Sequence, residues 1–108
     1  MRKKAMICQP MNGRSQTDIL AERDRAIKAL DGWGYDVVDT FFDFNHNDLI
    51  SKGVVCIPLY YLAESILKMS KCHAVYFCKG YEDYRGCYVE HYMAEKYGLE
   101  LMYEKQML

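Results

Sequence analysis

Apolar positions along this chain fall into short runs and helical stripes that alternate. Lys4-Ala5-Met6-Ile7-Cys8-Gln9 is a nearly continuous apolar run ending at Pro10, the pattern of a strand buried on both faces of a parallel sheet. Pro10 to Ser15 reads as a turn, with Asn12-Gly13 as its strongest signal. Ile19, Leu20, Ala26, Ile27 and Leu30 then recur at helical spacing. Ser15 or Thr17 can cap this helix, Asp18 suits its first turn, and Asp31-Gly32-Trp33-Gly34 ends it.

Tyr35 to Phe42 predicts a second strand. Asp43 to Gly53 is polar and predicts a loop that can include one helical turn, in the place where compact domains carry functional covers. Val54 to Ile57 is either a small strand or the packed approach to a helix. Pro58 suits a helix start, and Leu59, Leu62, Ala63, Ile66 and Leu67 predict its apolar face through Ser70. Ala74 to Cys78 is the next strand. Lys79 to Tyr84 is a polar loop, and Val89, Met93, Ala94 and Tyr97 carry a helical stripe that Gly98 ends. Leu99 to Tyr103 closes the series as a short strand. Strands that alternate with helices require right-handed crossovers and a parallel sheet with helices on both faces.

Glu90 falls on the inward stripe of the last helix, three residues before Met93 and four before Ala94. It enters just beyond a buried strand, where open α/β sheets bind ligands. Near a helix N-terminus its charged form is expected to be favoured by the dipole. A desolvated carboxylate there can act as nucleophile or as partner for a cationic transition state, which is what glycosyl transfer requires. Glu82 and Asp83 are candidates for handling the proton. The plainer reading has Glu90 capping the helix or pairing with Arg85. Gln9, Pro10, Met11, Asn12, Gly13 and Arg14 form a second candidate loop. Its glycine permits close backbone approach, and its helix start and Arg14 suit a phosphate or carboxylate, although such a sequence also makes an ordinary turn. Tyr60, Tyr61 and Tyr81 are candidates to stack on a base.

Composition narrows the classes. At 108 residues with a formal net charge of -1, the chain is one domain with mixed charges. It lacks the basic bias of a protein that coats nucleic acid. No apolar run has the length of a signal h-region or a bilayer span, so a cytoplasmic protein with no membrane partner is expected. Five cysteines form no CxxC pair and are expected as reduced, mostly buried thiols, with Cys87 a small packing residue. The three histidines have no metal-ligand spacing, so neither a metal nor a cofactor is expected. His73 reads as a surface or edge residue, and His91 points away from the face of Glu90.

The opening run with its Pro10-Met11-Asn12-Gly13 turn, the strand at Ala74, and Arg85-Gly86-Cys87-Tyr88-Val89-Glu90 followed by Ala94 and Gly98 resemble the nucleoside 2-deoxyribosyltransferase-like superfamily. The short, often phage-associated members known as the DUF4406 group are the most similar. The resemblance runs from Lys4 to about Leu101, and its most specific piece is Gly-x-x-x-Glu entering a helix after a strand. It implies a Rossmann-like (flavodoxin-like) three-layer sandwich with a four- to five-stranded parallel sheet. It also implies scission or transfer at the N-glycosidic bond of a deoxynucleoside or its 5'-monophosphate. Glu90 matches the nucleophile, and the loop from Gln9 to Gly13 would lie against the sugar or phosphate. On this reading Asp83 manages the proton, while Arg14, Tyr81, Arg85 and Gly86 help to bind substrate. Where relatives often have Asp before the third main strand this chain has His73, and where transferases place an Asp six residues before the nucleophile it has Tyr84. A non-catalytic nucleotide-binding module is the alternative. Active members are commonly oligomers, and a domain this small rarely encloses a nucleotide alone, so a homodimer or higher homo-oligomer is expected.

Overall fold

The structure, a computed structural model, describes residues 2–104. Four strands, β1 (Lys3–Cys8), β2 (Tyr35–Val38), β3 (Ala74–Phe77) and β4 (Glu100–Tyr103), form one sheet in the order β2-β1-β3-β4. Every pair is parallel, with Ala5 opposite Ala74, Met6 opposite Val38, and Phe77 opposite Tyr103. From β1 the chain steps one way to β2, then back across β1 to β3 and on to β4. Right-handed crossovers therefore put the first helix on one face of the sheet and the later helices on the other. The first is α1 (Gln16–Gly32); the later ones are α3 (Ile57–Met69) and α4 (Arg85–Lys96), with α2 (His46–Ser51) beside them in the long β2–β3 connection. This is the expected α/β three-layer architecture, in its four-stranded form.

Alternation along the two central strands builds two cores. Ala5 and Ile7 of β1 and Ala74 and Tyr76 of β3 pack with Ala26 and Leu30 of α1. Met6, Cys8, Val75 and Phe77 point the other way and pack with Met69, Cys72, Cys87 and Ala94. Phe77 is 1 % exposed, and burial of such a side chain contributes about 1.5–3 kcal/mol. Small residues at Ala5 and Ala74 leave room on the α1 face for Tyr35 of β2 to reach across the sheet, where its hydroxyl donates to Glu100 of β4 at 2.6 Å. At the N-terminal edge, the Lys4 amide donates to Nδ1 of His73 at 3.0 Å, and the His73 amide donates to the Lys4 carbonyl at 2.7 Å. His73 thus continues the β1–β3 pairing, at the end of the strands opposite to Glu90.

One expected element differs from that observed, and two readings left open by the sequence are resolved. β2 stops at Val38 rather than Phe42. The Asp39 carboxylate accepts from the Phe41 amide at 2.9 Å and from Arg23 at 2.8 Å, a local turn that competes with the strand ladder. The polar segment from Asp43 contains a true helix, α2, capped by Asn45 through the Asp48 amide. Val54 to Ile57 is not a strand: the Val54 amide bonds back to the Leu49 carbonyl at 2.9 Å, and Val55 is 97 % exposed. The apolar stripe expected on α3 is also rotated. Leu59, Ala63 and Leu67 are exposed, while Leu62, Ser65, Ile66 and Met69 turn inward. Among the described residues, no helix is long and apolar enough to cross a membrane.

Candidate functional site

The sheet order reverses between β1 and β3, and the crevice beyond their C-terminal ends is where such folds take ligands. A cleft of about 250 Å³ lies there. Its first wall is the chain leaving β1, Gln9-Pro10-Met11. Thr40 and Phe42, just after β2, form the second wall. Pro58, Tyr61, Leu62 and Ser65 of α3 form the third, and Tyr84, Gly86, Cys87 and Glu90 at the start of α4 close it.

Each wall is held by local chemistry. The Gln9 amide group donates to the Ile19 carbonyl at 2.6 Å and to Glu22 at 3.1 Å, which fixes the end of β1 against α1. Arg14 donates to the Pro10 carbonyl at 2.8 Å and to Glu22 at 2.7 Å, so its cation tightens the loop instead of facing the cleft. Gly13 supplies the positive φ of +79° that this turn needs. The Thr40 hydroxyl donates to the Ile7 carbonyl at 3.2 Å, and Phe42 stacks on Phe44. Phe44 meets Tyr60 and Tyr61 edge-on. The Tyr61 hydroxyl lies 2.9 Å from Nε2 of His46 at the start of α2. The polar β2–β3 connection is thereby an aromatic cover anchored on α3.

Glu90 sits on the floor of this cleft. It is 8 % exposed. Among the described residues no Lys, Arg or His makes an ion pair with it. Burial raises its carboxyl above the ordinary value, while the neighbouring Cys8 thiol and Ser65 hydroxyl act the other way and favour the carboxylate. The expected help of the helix dipole does not prevail. Glu90 is already in the second turn of α4, and the dipole's effect fades within the first, so desolvation dominates. The thiols of Cys8 and Cys87 and the Glu90 carboxylate all lie within 4.8 Å of one another. Contact with Cys87, together with burial and the charge of Glu90, pushes the Cys8 thiol well above its usual range. It stands as a neutral S–H group.

Of the residues singled out from the sequence, Gln9, Pro10, Met11, Tyr61, Gly86 and Glu90 line the cleft, and Tyr60 does not. Asn12 and Gly13 are exposed on the turn beyond it, and Arg85 is exposed at the first position of α4. Glu82 and Asp83 lie in an exposed 3-10 turn, Tyr81–Asp83, outside the lining. Tyr81 packs instead with Phe77, His91 and Tyr103, and His91 completes that cluster 2.7 Å from the Tyr103 hydroxyl. The stripe expected on α4 is Val89, Met93, Ala94 and Tyr97, with Glu90 on it; the buried residues are Cys87, Glu90 and Ala94, Val89 and Met93 are half-buried, and Tyr97 is 78 % exposed. Sequence reasoning missed Cys8, Thr40, Phe42, Ser65, Tyr84 and the role of Cys87. Cys8 had a signal: it shares its strand face with Met6 and is the last strand residue before the Gln9–Pro10 wall. Thr40 and Phe42 had none, because they follow a turn inside an apparent strand.

Comparisons with models of known protein families, with curated proteins and with solved structures return no match to this chain. The fold and the cleft define an open α/β domain with a buried acid, Glu90, facing the cleft at its switch point.

Proposed function

We propose that this domain cleaves or transfers at the N-glycosidic bond of a 2'-deoxynucleoside, with Glu90 as nucleophile. One observation carries the reading: a carboxylate buried on the floor of a switch-point cleft with no counter-cation among the described residues. An uncompensated buried acid costs stability, and function is the usual reason such a group persists. The Glu90 carboxylate attacks C1', the base departs with the electrons of the C1'–N bond, and water or a second base resolves the glycosyl ester. The proton for the departing base comes from the Tyr84 hydroxyl or from water, since Asp83 stands outside the lining.

The size and lining support the substrate class. Drug-sized ligands occupy pockets of about 300–1,000 Å³, so a cleft of about 250 Å³ suits one base and one sugar. Phe42, Tyr61, Tyr84 and Met11 offer faces for a base. None of the described lining residues is cationic and Arg14 is engaged by Glu22, which favours the uncharged nucleoside over its 5'-monophosphate. A homodimer in the cytoplasm, where free thiols persist, belongs to the same proposal. It is supported by the exposed Leu59 and Leu67 on α3 and Tyr92 on α4, and sedimentation tests it.

The test is incubation of purified protein with deoxynucleosides and their monophosphates, with free base as the readout. Base release that Glu90→Ala abolishes supports the proposal; release that survives Glu90→Ala refutes it. A second reading, a nucleoside-binding module without turnover, is favoured by one observation: among the described residues no second carboxylate lines the cleft. It predicts saturable binding, retained by Glu90→Gln, with no product.

A further inference from the structure

We propose that Cys8, Cys87 and Glu90 form a three-ligand site for a thiophilic divalent cation of the zinc class, its fourth position open to the cleft. The three ligand atoms come from the end of β1 and the first two turns of α4, and all are buried. Zinc bonds run to about 2.3 Å for sulfur and about 2.0–2.2 Å for a carboxylate oxygen, so tetrahedral ligands stand roughly 3.5–3.8 Å apart. The observed limit of 4.8 Å leaves about 1 Å of contraction, within reach of side-chain rotation. Two sulfurs and one oxygen select zinc-class ions over magnesium or calcium, which require oxygen ligands. Three protein ligands and an open position are the arrangement of zinc sites that accept an exogenous ligand.

A second cluster, Glu22, Cys78 and Glu104, also gathers three donors. Its carboxylates are already engaged: Glu22 accepts from Arg14 and Gln9, and Glu104 accepts from the Lys79 amide at 2.8 Å. Glu90 has no ion-pair partner among the described residues, so the cleft cluster is the one with a charge left to satisfy. Binding displaces the two thiol protons to solvent and leaves two thiolates and a carboxylate around the ion. The Glu90 oxygen lone pair is then held by the metal and withdrawn from attack at carbon. Occupancy therefore inhibits the glycosyl chemistry proposed above. Only this consequence rests on that reading; the site itself does not.

Cobalt(II) titration of chelator-stripped, reduced protein tests the site without any substrate. Intense thiolate-to-cobalt absorption that saturates and is displaced by zinc is expected. Loss of an outer-shell partner alone weakens metal affinity about 10–100-fold, so Cys87→Ser, Cys8→Ala and Glu90→Gln are each expected to weaken it at least that far. Cys56→Ser, which removes an exposed thiol, should change nothing. Absence of the thiolate band, or a band that survives both Cys8→Ala and Cys87→Ser, overturns the proposal. Glu90→Gln keeps the test decisive if a cysteine variant fails to fold, because unchanged affinity in that variant also overturns it. Base release assayed in parallel separates the two claims. Release without a cobalt band removes the metal site and leaves the enzyme, whereas a band without release removes the enzyme and leaves the site.

Discussion

Two glutamates flank the C-terminal end of β1 on opposite faces of the sheet, and they are treated differently. Glu22, on α1, is 6 % exposed and accepts from both Arg14 and Gln9. Glu90, on α4, is 8 % exposed and forms no ion pair among the described residues. Burial is nearly the same, so burial alone does not define a site. The difference is compensation. The α1 face turns its acid into a staple that ties helix, strand and loop together. The α3/α4 face leaves its acid with only a thiol and a hydroxyl for company, beside a cavity. A structural carboxylate is one whose charge is answered within the fold; among the described residues no cation answers that of Glu90.

Breaking each side of this pair should therefore have opposite consequences. The largest effect is on chemistry: Glu90→Ala is expected to lower base release from a deoxynucleoside by at least about 10³-fold, as removal of a nucleophile does. On the other face, Arg14→Ala strands Glu22 as an unpaired buried charge. Breaking a fully buried pair costs about 3–5 kcal/mol. Arg14 keeps 25 % of its side chain exposed, so about 2 kcal/mol is expected in urea unfolding.

Glu90→Gln should move stability the other way, raising it by about 0.5–2 kcal/mol at pH 7 while activity is lost. The sign follows from linkage. Folding raises the Glu90 carboxyl above its ordinary 4.5. Its contribution to stability is thus fully present below that value and is lost as pH rises through the raised one. The advantage of Glu90→Gln should accordingly grow from pH 4 upward and vanish in acid, where both side chains are neutral. The smallest effect is expected at Asp83→Asn. That side chain lies outside the cleft, and base release should change by less than about two-fold, a barrier difference below about 0.5 kcal/mol.

Much of this was legible in the sequence. Continuous apolar runs at Ala5 and Ala74 marked the two central strands, because a strand covered on both faces has no polar alternation to confuse it. Glu90 was legible as an acid on an apolar stripe. The walls of the cleft were not. Tyr35 to Phe42 has strand composition throughout, yet Asp39 ends the pairing with its own side chain and sends Thr40 and Phe42 over the cleft. The face of α3 was misread because Ser65, a polar residue in the stripe, points in, while Leu59 and Leu67 point out. The meeting of Cys8 with Cys87 and Glu90 was hidden for another reason. Metal and thiol clusters are recognised by short spacings, and these residues are brought together by the β1–β3 pairing and the packing of α4.

Whether the charge of Glu90 is answered can be read from the titration of its side-chain carboxyl by carbon-13 NMR in metal-free protein. An unanswered, desolvated acid predicts a midpoint clearly above 4.5, with a shift of its resonance when a 2'-deoxynucleoside is added. A midpoint at or below that value, unmoved by any nucleoside, would mean that Glu90 is compensated like Glu22 and that the cleft is only a gap in the packing.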